Sequence, residues 1–306
     1  MELKNDNSKT LNKLIHMEKL SNSELQIMVS ADGAELCSLQ CNGKEYLWQA
    51  DPAYWNRHSP VLFPIVGRVW DNTYRCCGET YSLGQHGFAR DMKFQLVSLK
   101  DDEVWYRLTD NEETHRKYPY SFCLEIGYRI EQRKVHVMWR VKNTGKGDMY
   151  FQIGAHPAFY FPGYDADTKE RGFFGFDKKE GLEYILIGDK GCANTDVRYP
   201  LELKDGLLPM DTSTFDGDAL ILENGQVGEV ALYNNSRKAV LRLLFDAPVV
   251  GLWSPPAKNA PFVCIEPWYG RCDRMNFNGE YKEKDWIQYL PENGTFDGGY
   301  VIEIME

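Results

Sequence analysis

The sequence predicts an all-β fold, one large antiparallel β-sandwich in a single domain, and three observations carry that expectation. Apolar residues alternate with polar ones at the two-residue period of a half-buried strand, clusters of Gly, Asn, Asp and Pro punctuate these runs, and long helical periodicity is scarce. The aromatic content of 13% adds to this, because rings fit a pleated surface and some can serve as flat platforms in a ligand cleft.

Residues 1–20 are polar and charged without a clear period, so a loosely held tail is expected there, with the folded domain spanning 21–306. Strand signals then recur at Leu25 to Val29, at Ala34 to Leu39 and, after the turn pair Asn42-Gly43, at Glu45 to Trp48, as in a meander. A further run spans Val104 to Leu108. The clearest alternation follows: Leu124, Ile126, Tyr128 and Ile130, then Val135, Val137, Trp139 and Val141, joined by a polar turn around Gln132 and Arg133. An antiparallel hairpin is expected. Strand-like runs continue at Met149 to Ile153, Ala219 to Leu222, Val230 to Tyr233, Val240 to Phe245, Pro261 to Ile265 and Tyr300 to Ile304. Between them, Phe161 to Leu207 is rich in Gly and Asp and reads as long loops with a few short strands.

Composition excludes several function classes. With 43% hydrophobic and 26% charged residues the chain has the make-up of a globular domain. A formal charge of −10 and no basic stripe exclude nucleic acid and anionic membrane as partners, and leave a neutral ligand open. The N-terminal segment has no uninterrupted apolar core, and no segment approaches the roughly 18 apolar residues of a membrane-spanning helix, so a cytoplasmic location is expected. The eight cysteines lack CxxC spacing and read as reduced thiols, with Cys264 in the core.

Three segments set a proton carrier beside turn residues and aromatics: GQHGFARD around His86, GAHPAFYFP around His156 and CIEPWYG around Glu266. A fourth, FPIVGRV, offers Arg68. Gly87 permits φ > 0 or a close backbone approach, while Pro157 and Pro267 hold the residues before them extended. Both devices suit side chains delivered from strand ends into a cleft.

The ordered set SPVLFPIVGRV, QHGFARD, GAHPAFYFP, DALIL and PFVCIEPWYG resembles the aldose 1-epimerase family, especially its LacX-like branch, from about Ser23 onward. The resemblance implies a galactose mutarotase-like supersandwich that interconverts the α and β anomers of an aldohexose. It implies Glu266 as general base, His156 as general acid, His86 as a second histidine near the ring oxygen and anomeric centre, and Arg68 as a substrate-binding arginine. A family aspartate that binds sugar hydroxyls matches Asp218 best, with Asp216 as the alternative. Arg90, next to Asp91, forms either a structural ion pair or a contact near the substrate. Trp268, like Phe159, Phe161 and Trp253, belongs either to the core or to a sugar platform. The expected partner is a small-molecule sugar, free or, as in a distant branch of the family, phosphorylated at O6. No metal or other cofactor is expected, and the assembly is a monomer or a homodimer.

The chemistry asks for these residue types. Opening a cyclic hemiacetal removes the anomeric hydroxyl proton and protonates the ring oxygen; rotation about C1–C2 and reclosure then give the other anomer. One base and one acid suffice, and they exchange roles on closure, so both need working pKa values near neutral. Histidine begins there. Glu266, between Ile265, Pro267 and Trp268, is expected to rise toward that range if buried. His16, His58, His115 and His136 carry no such motif and read as structural or exposed. Three rivals remain: a zinc hydrolase using the two histidines and Glu266 as ligands, which lacks HExxH-type spacing; a glycosidase pairing Glu266 with Asp218; and a non-catalytic sugar-binding module.

Overall fold

The computed structural model describes residues 17–306, and strands dominate them. The first sheet is built in chain order from β1 (Met17–Ser21), β2 (Leu25–Ser30), β3 (Leu36–Cys41) and β4 (Lys44–Glu45). Regular structure therefore begins at Met17, ahead of the expected start near residue 21, because Glu18, Lys19 and Leu20 pair with Val29, Met28 and Ile27. Backbone ladder bonds order a segment whose polar side chains give no sign of it. The rest of the expected tail, residues 1–16, lies outside the described residues. Asn42 and Gly43, with φ of 49° and 80°, make the expected tight turn into β4. That strand is shorter than the run expected over Glu45 to Trp48; Leu47 instead bridges Phe159.

Two large sheets form the sandwich. The nine-stranded one runs β18 (Leu207–Asp211), β15 (Glu170–Phe176), β20 (Glu229–Tyr233), β21 (Ala239–Phe245), β25 (Thr295–Ile304), β11 (Lys134–Asn143), β10 (Phe122–Glu131), β9 (Glu103–Thr109) and β8 (Gln95–Leu99). Its last strand in sequence order, β25, lies near the middle, between β21 and β11. The eight-stranded sheet runs β17 (Ala193–Pro200), β16 (Glu183–Ile187), β19 (Leu220–Leu222), β22 (Val249–Trp253), β23 (Phe262–Tyr269), β13 (Ile153–Ala155) and β5 (Val61–Leu62), and β14 (Ala158–Tyr160) also pairs with β23. Two ribbons complete the chain: β6 (Thr73–Cys76) with β7 (Glu79–Ser82), and β12 (Met149–Phe151) with β24 (Gln288–Leu290). The stretch read as mainly loop, 161–207, holds β15, β16 and β17, of seven, five and eight residues.

The hairpin β10–β11 has the expected register and sidedness, with Leu124 opposite Val141 and Ile126 opposite Trp139. These residues share one hydrophobic cluster with Leu222, Leu252, Val263 and Ile265 of the other sheet, so the two sheets enclose a common core. Each side chain buried there contributes about 1.5–3 kcal/mol. Because strand side chains alternate, Phe262, Cys264, Glu266 and Trp268 point to the opposite face of β23 from Val263 and Ile265. Phe262 and Cys264 join one outer cluster and Trp268 another. Glu266 stands between those clusters, on the face where the cavity opens.

Candidate active site

A cavity of about 890 Å³ lies over this outer face, lined among others by Arg68, His86, Arg90, His156, Asp218, Trp253, Glu266 and Trp268. All seven site residues expected from the sequence border it, although they come from five separate stretches of chain. Its size suits a small polar molecule.

Glu266 sits on β23 opposite Gly251 of β22. Trp268, two residues on, lays its indole over Gly251 and Gly154, and a Cβ at Gly154 would stand 2.6 Å from the ring. Glycine on the two flanking strands therefore makes room for the tryptophan beside the carboxylate. The Trp268 N–H donates to the Ala155 carbonyl at 3.1 Å, which locks the ring.

His156 falls in the break between β13 and β14, where Pro157 follows it. Its ring stacks on Trp55, with centroids 4.7 Å apart, and meets Trp253 edge-on at 5.3 Å. This aromatic clamp directs Nε2 at Glu266 Oε2, 3.3 Å away. Both residues are buried, and His156 Nδ1 and Glu266 Oε2 have no hydrogen-bond partner. Burial and the Asp218 charge push the Glu266 carboxyl well above its usual range, the Trp268 N–H opposing them. Burial, with Arg90 and Arg57 nearby, pushes His156 down to about 3. The environment thus favours the uncharged form of each partner.

His86 occupies a strained turn with φ 66°, followed by Gly87 at 71°. A Cβ at Gly87 would fall onto the Phe63 carbonyl, so only glycine lets the turn press against the chain after β5. The His86 N–H donates to the Gly67 carbonyl at 2.7 Å, and its Nδ1 accepts the Gly67 N–H at 3.0 Å. With Nδ1 an acceptor, the neutral ring carries its proton on Nε2, as a donor. Burial, His156 and Arg90 keep that ring neutral by pushing its pKa well down.

The arginines form a positive rim. Arg68 reaches Asn72 Oδ1 at 3.3 Å and Gln85 Oε1 at 3.4 Å. Arg90 donates to the Gln85 carbonyl at 2.7 Å, while its Nε has no hydrogen-bond partner. Asp91 pairs closely with Arg57, at 2.7 Å, rather than with Arg90, 3.9 Å away. Burial and Arg57 lower the Arg90 pKa to about 10. Asp218, at φ 71°, accepts the Ala219 N–H at 2.7 Å and borders the cavity, whereas Asp216 faces a different recess.

Phe159 and Phe161 belong to the core, and Trp253 and Trp268 to the cavity wall. His58, His115 and His136 each sit beside a carboxylate, Glu35, Asp110 and Glu131 respectively, and His16 lies outside the described residues. No disulfide joins any of the described cysteines, and Cys264 is buried. At the cavity, the potential ligand atoms that converge within 4.8 Å are those of His156, Glu266 and Cys264, not His86 as the zinc reading had it, and a second such group, Glu35, Cys37 and His58, lies off the cavity wall. Burial and Glu266 hold the Cys264 thiol well above its usual pKa, which opposes the thiolate that a zinc ligand must become. The sequence reading missed Trp55 and the Lys190–Asp71 ion pair at the cavity mouth. Trp55 lies on an irregular loop and Asp71 and Lys190 in single 3-10 turns, and no periodicity or spacing marks them.

An antiparallel sandwich whose open face holds a buried His–Glu pair, a neutral histidine donor and a rim of arginines defines a class: an acid–base site in the cavity of an all-β scaffold. The chain belongs to the aldose 1-epimerase family, whose description matches residues 17–289. It is 30% identical to the chromosomal Protein LacX of Lactococcus lactis subsp. lactis over 297 residues, covering 94% of this chain and 99% of that one. A galactose mutarotase related enzyme from Lactobacillus acidophilus superposes with a TM-score of 0.88 at 31% identity, covering 95% of this chain and 97% of its own. A galactose mutarotase-like protein from Lactobacillus casei ATCC 334 gives 0.88 at 29% identity, covering 94% and 100%. None of the described helices is long and apolar enough to cross a membrane.

Proposed function

We propose that the protein is an aldose 1-epimerase in which Glu266 and His156 move the two protons of ring opening. The observation that carries this is the 3.3 Å approach of His156 Nε2 to Glu266 Oε2 at the wall of the cavity. The anomeric oxygen and the ring oxygen are both bonded to C1, so their proton carriers must be neighbours. In the reactive form the pair is a carboxylate and an imidazolium sharing one proton between them. Glu266 takes the anomeric proton while His156 protonates the ring oxygen, which leaves carboxylic acid and neutral imidazole, the forms that burial favours. Rotation about C1–C2 and the reverse transfers close the other anomer with no net proton exchanged. The His86 Nε2–H donates toward the ring oxygen or anomeric centre, Arg68 and Asp218 hold sugar hydroxyls, and Trp268 and Trp253 offer apolar faces. Acid–base chemistry of this kind takes no metal or organic cofactor.

A phosphorylated aldose is the second reading, favoured by Arg57, Arg68 and Arg90, which act together on His86 in a protein of net charge −10. Clustered guanidiniums are what an oxyanion asks for. Polarimetry on freshly dissolved α-galactose and α-glucose and on the corresponding 6-phosphates, with one enzyme preparation, tests both. Acceleration of the free sugars supports the first reading, and acceleration confined to the phosphates supports the second. Binding without acceleration of any of them would make the protein a sugar-binding module.

A further inference from the structure

We propose that Cys76 and Cys77 form a bidentate site for thiophilic Lewis acids, soft metal cations and trivalent arsenicals, at the turn of the β6–β7 hairpin. Adjacent residues of a regular strand point to opposite faces. Cys76 ends β6, but Cys77 has φ 56° and Gly78 φ 83°, a left-handed pair that folds the chain back into β7. That turn swings the second side chain round, and the two Sγ atoms stand 3.5 Å apart. Cys77 is exposed and Cys76 is buried beneath it, so one sulfur meets incoming ligand while the other is held in place. Tyr120 Oη lies 3.1 Å from Cys76 Sγ, a phenol positioned to donate to the thiolate once it forms.

The spacing favours a bridging atom over a direct disulfide. Adjacent Cα atoms across a trans peptide are about 3.8 Å apart, short of the roughly 4.4–6.8 Å that disulfides span. An ion with bonds of about 2.3 Å to each sulfur would meet two sulfurs 3.5 Å apart at an angle of about 100°, near tetrahedral. Burial holds the Cys76 proton up to about 12, with Tyr120 opposing and Cys77 reinforcing, so a ligand must displace thiol protons. An arsenoxide does this without redox change: both As–O bonds of R–As=O give way to two As–S bonds, and the two thiol protons leave with the oxygen as water. The hairpin that carries the pair is the segment between Arg68 and His86, two residues of the cavity wall.

The test uses the full chain, kept reduced with a phosphine and titrated with phenylarsine oxide. Cleavage after Arg75 and Arg90 yields a peptide holding both thiols. One arsenical per chain on that peptide is expected, with two thiols lost, reversed by a dithiol and resistant to excess monothiol. Cys77→Ser changes an exposed residue and should weaken arsenical binding by about 10²-fold or more, the usual consequence of losing one arm of a two-point attachment. Cys123→Ser, on β10 of the nine-stranded sheet, should leave it unchanged. An adduct on another peptide, one that survives Cys77→Ser at equal affinity, or one stripped by monothiol would overturn the proposal.

Discussion

Replacing Glu266 by Gln isolates the proposed base with the least collateral change. The two side chains have the same shape, so the Gly251 and Trp268 packing around position 266 persists. What disappears is an oxygen 3.3 Å from His156 that can hold a proton. No other group replaces it: Asp218 is half-exposed and its carboxylate accepts the Ala219 N–H. A positioned general base contributes about 10²–10⁴ in rate, which corresponds to about 3–5 kcal/mol of barrier. Polarimetry of the sugar that the wild type accelerates, with the spontaneous rate subtracted, should therefore show kcat down by that factor. KM should change far less, because the hydroxyl contacts remain. His156→Gln should be as severe, since the ring oxygen loses its proton donor. A Glu266→Gln protein turning over at near wild-type rate would refute the assignment of the base and the shared-proton scheme with it.

The same substitution should raise stability. The folded-state pKa of Glu266 lies above its ordinary 4.5, so its stability contribution is complete below 4.5 and is lost as pH rises from there through the raised value; the Tm advantage of Glu266→Gln over wild type should grow with pH from about 4.5 and level off once the folded carboxyl has ionised. Activity should survive prolonged dialysis against EDTA, and loss restored by zinc would revive the hydrolase reading. Asp273 is buried, pairs with Lys284 and accepts the Trp70 N–H at 2.8 Å beside the Arg68 loop. Asp273→Asn leaves that lysine charge uncompensated and should cost about 3–5 kcal/mol in urea unfolding. Gly87→Ala forces a side chain into a left-handed turn against the Phe63 carbonyl. It should cost at least about 1–3 kcal/mol and reduce mutarotation by misplacing His86, read from unfolding curves and kcat together.

What the sequence made legible was local. Alternation in β10 and β11 marked which side chains face the core, and Asn42-Gly43 marked its own turn. Glycine and proline beside His86, His156 and Glu266 marked strand ends that open on a cleft, and all three side chains line one cavity. Partners distant in sequence were not legible. The ladder of β15 depends on β18 and β20, with a register shift between Glu170 and Phe173, so nothing within 161–207 signals it. Polar β1 is held by its pairing with β2. Trp55 comes from an irregular loop, and only the folded chain sets it on His156. The choice between Asp218 and Asp216 turned on which way a single left-handed residue directs its side chain.

The position of β25 has a consequence for how the protein is made. Residues 134–143 and 239–245 are synthesised well before 295–304, yet they meet only through that late segment. While the chain is emerging from the ribosome, β11 and β21 each present an unpaired edge, and such edges recruit other strands. The nine-stranded sheet cannot close until the late segment inserts between two assembled halves. Contacts spanning so much of the chain form slowly, so both edges stay open to stray pairing over that interval. Lesions in the last strand should then surface as poor yield and inclusion bodies before they surface as altered turnover.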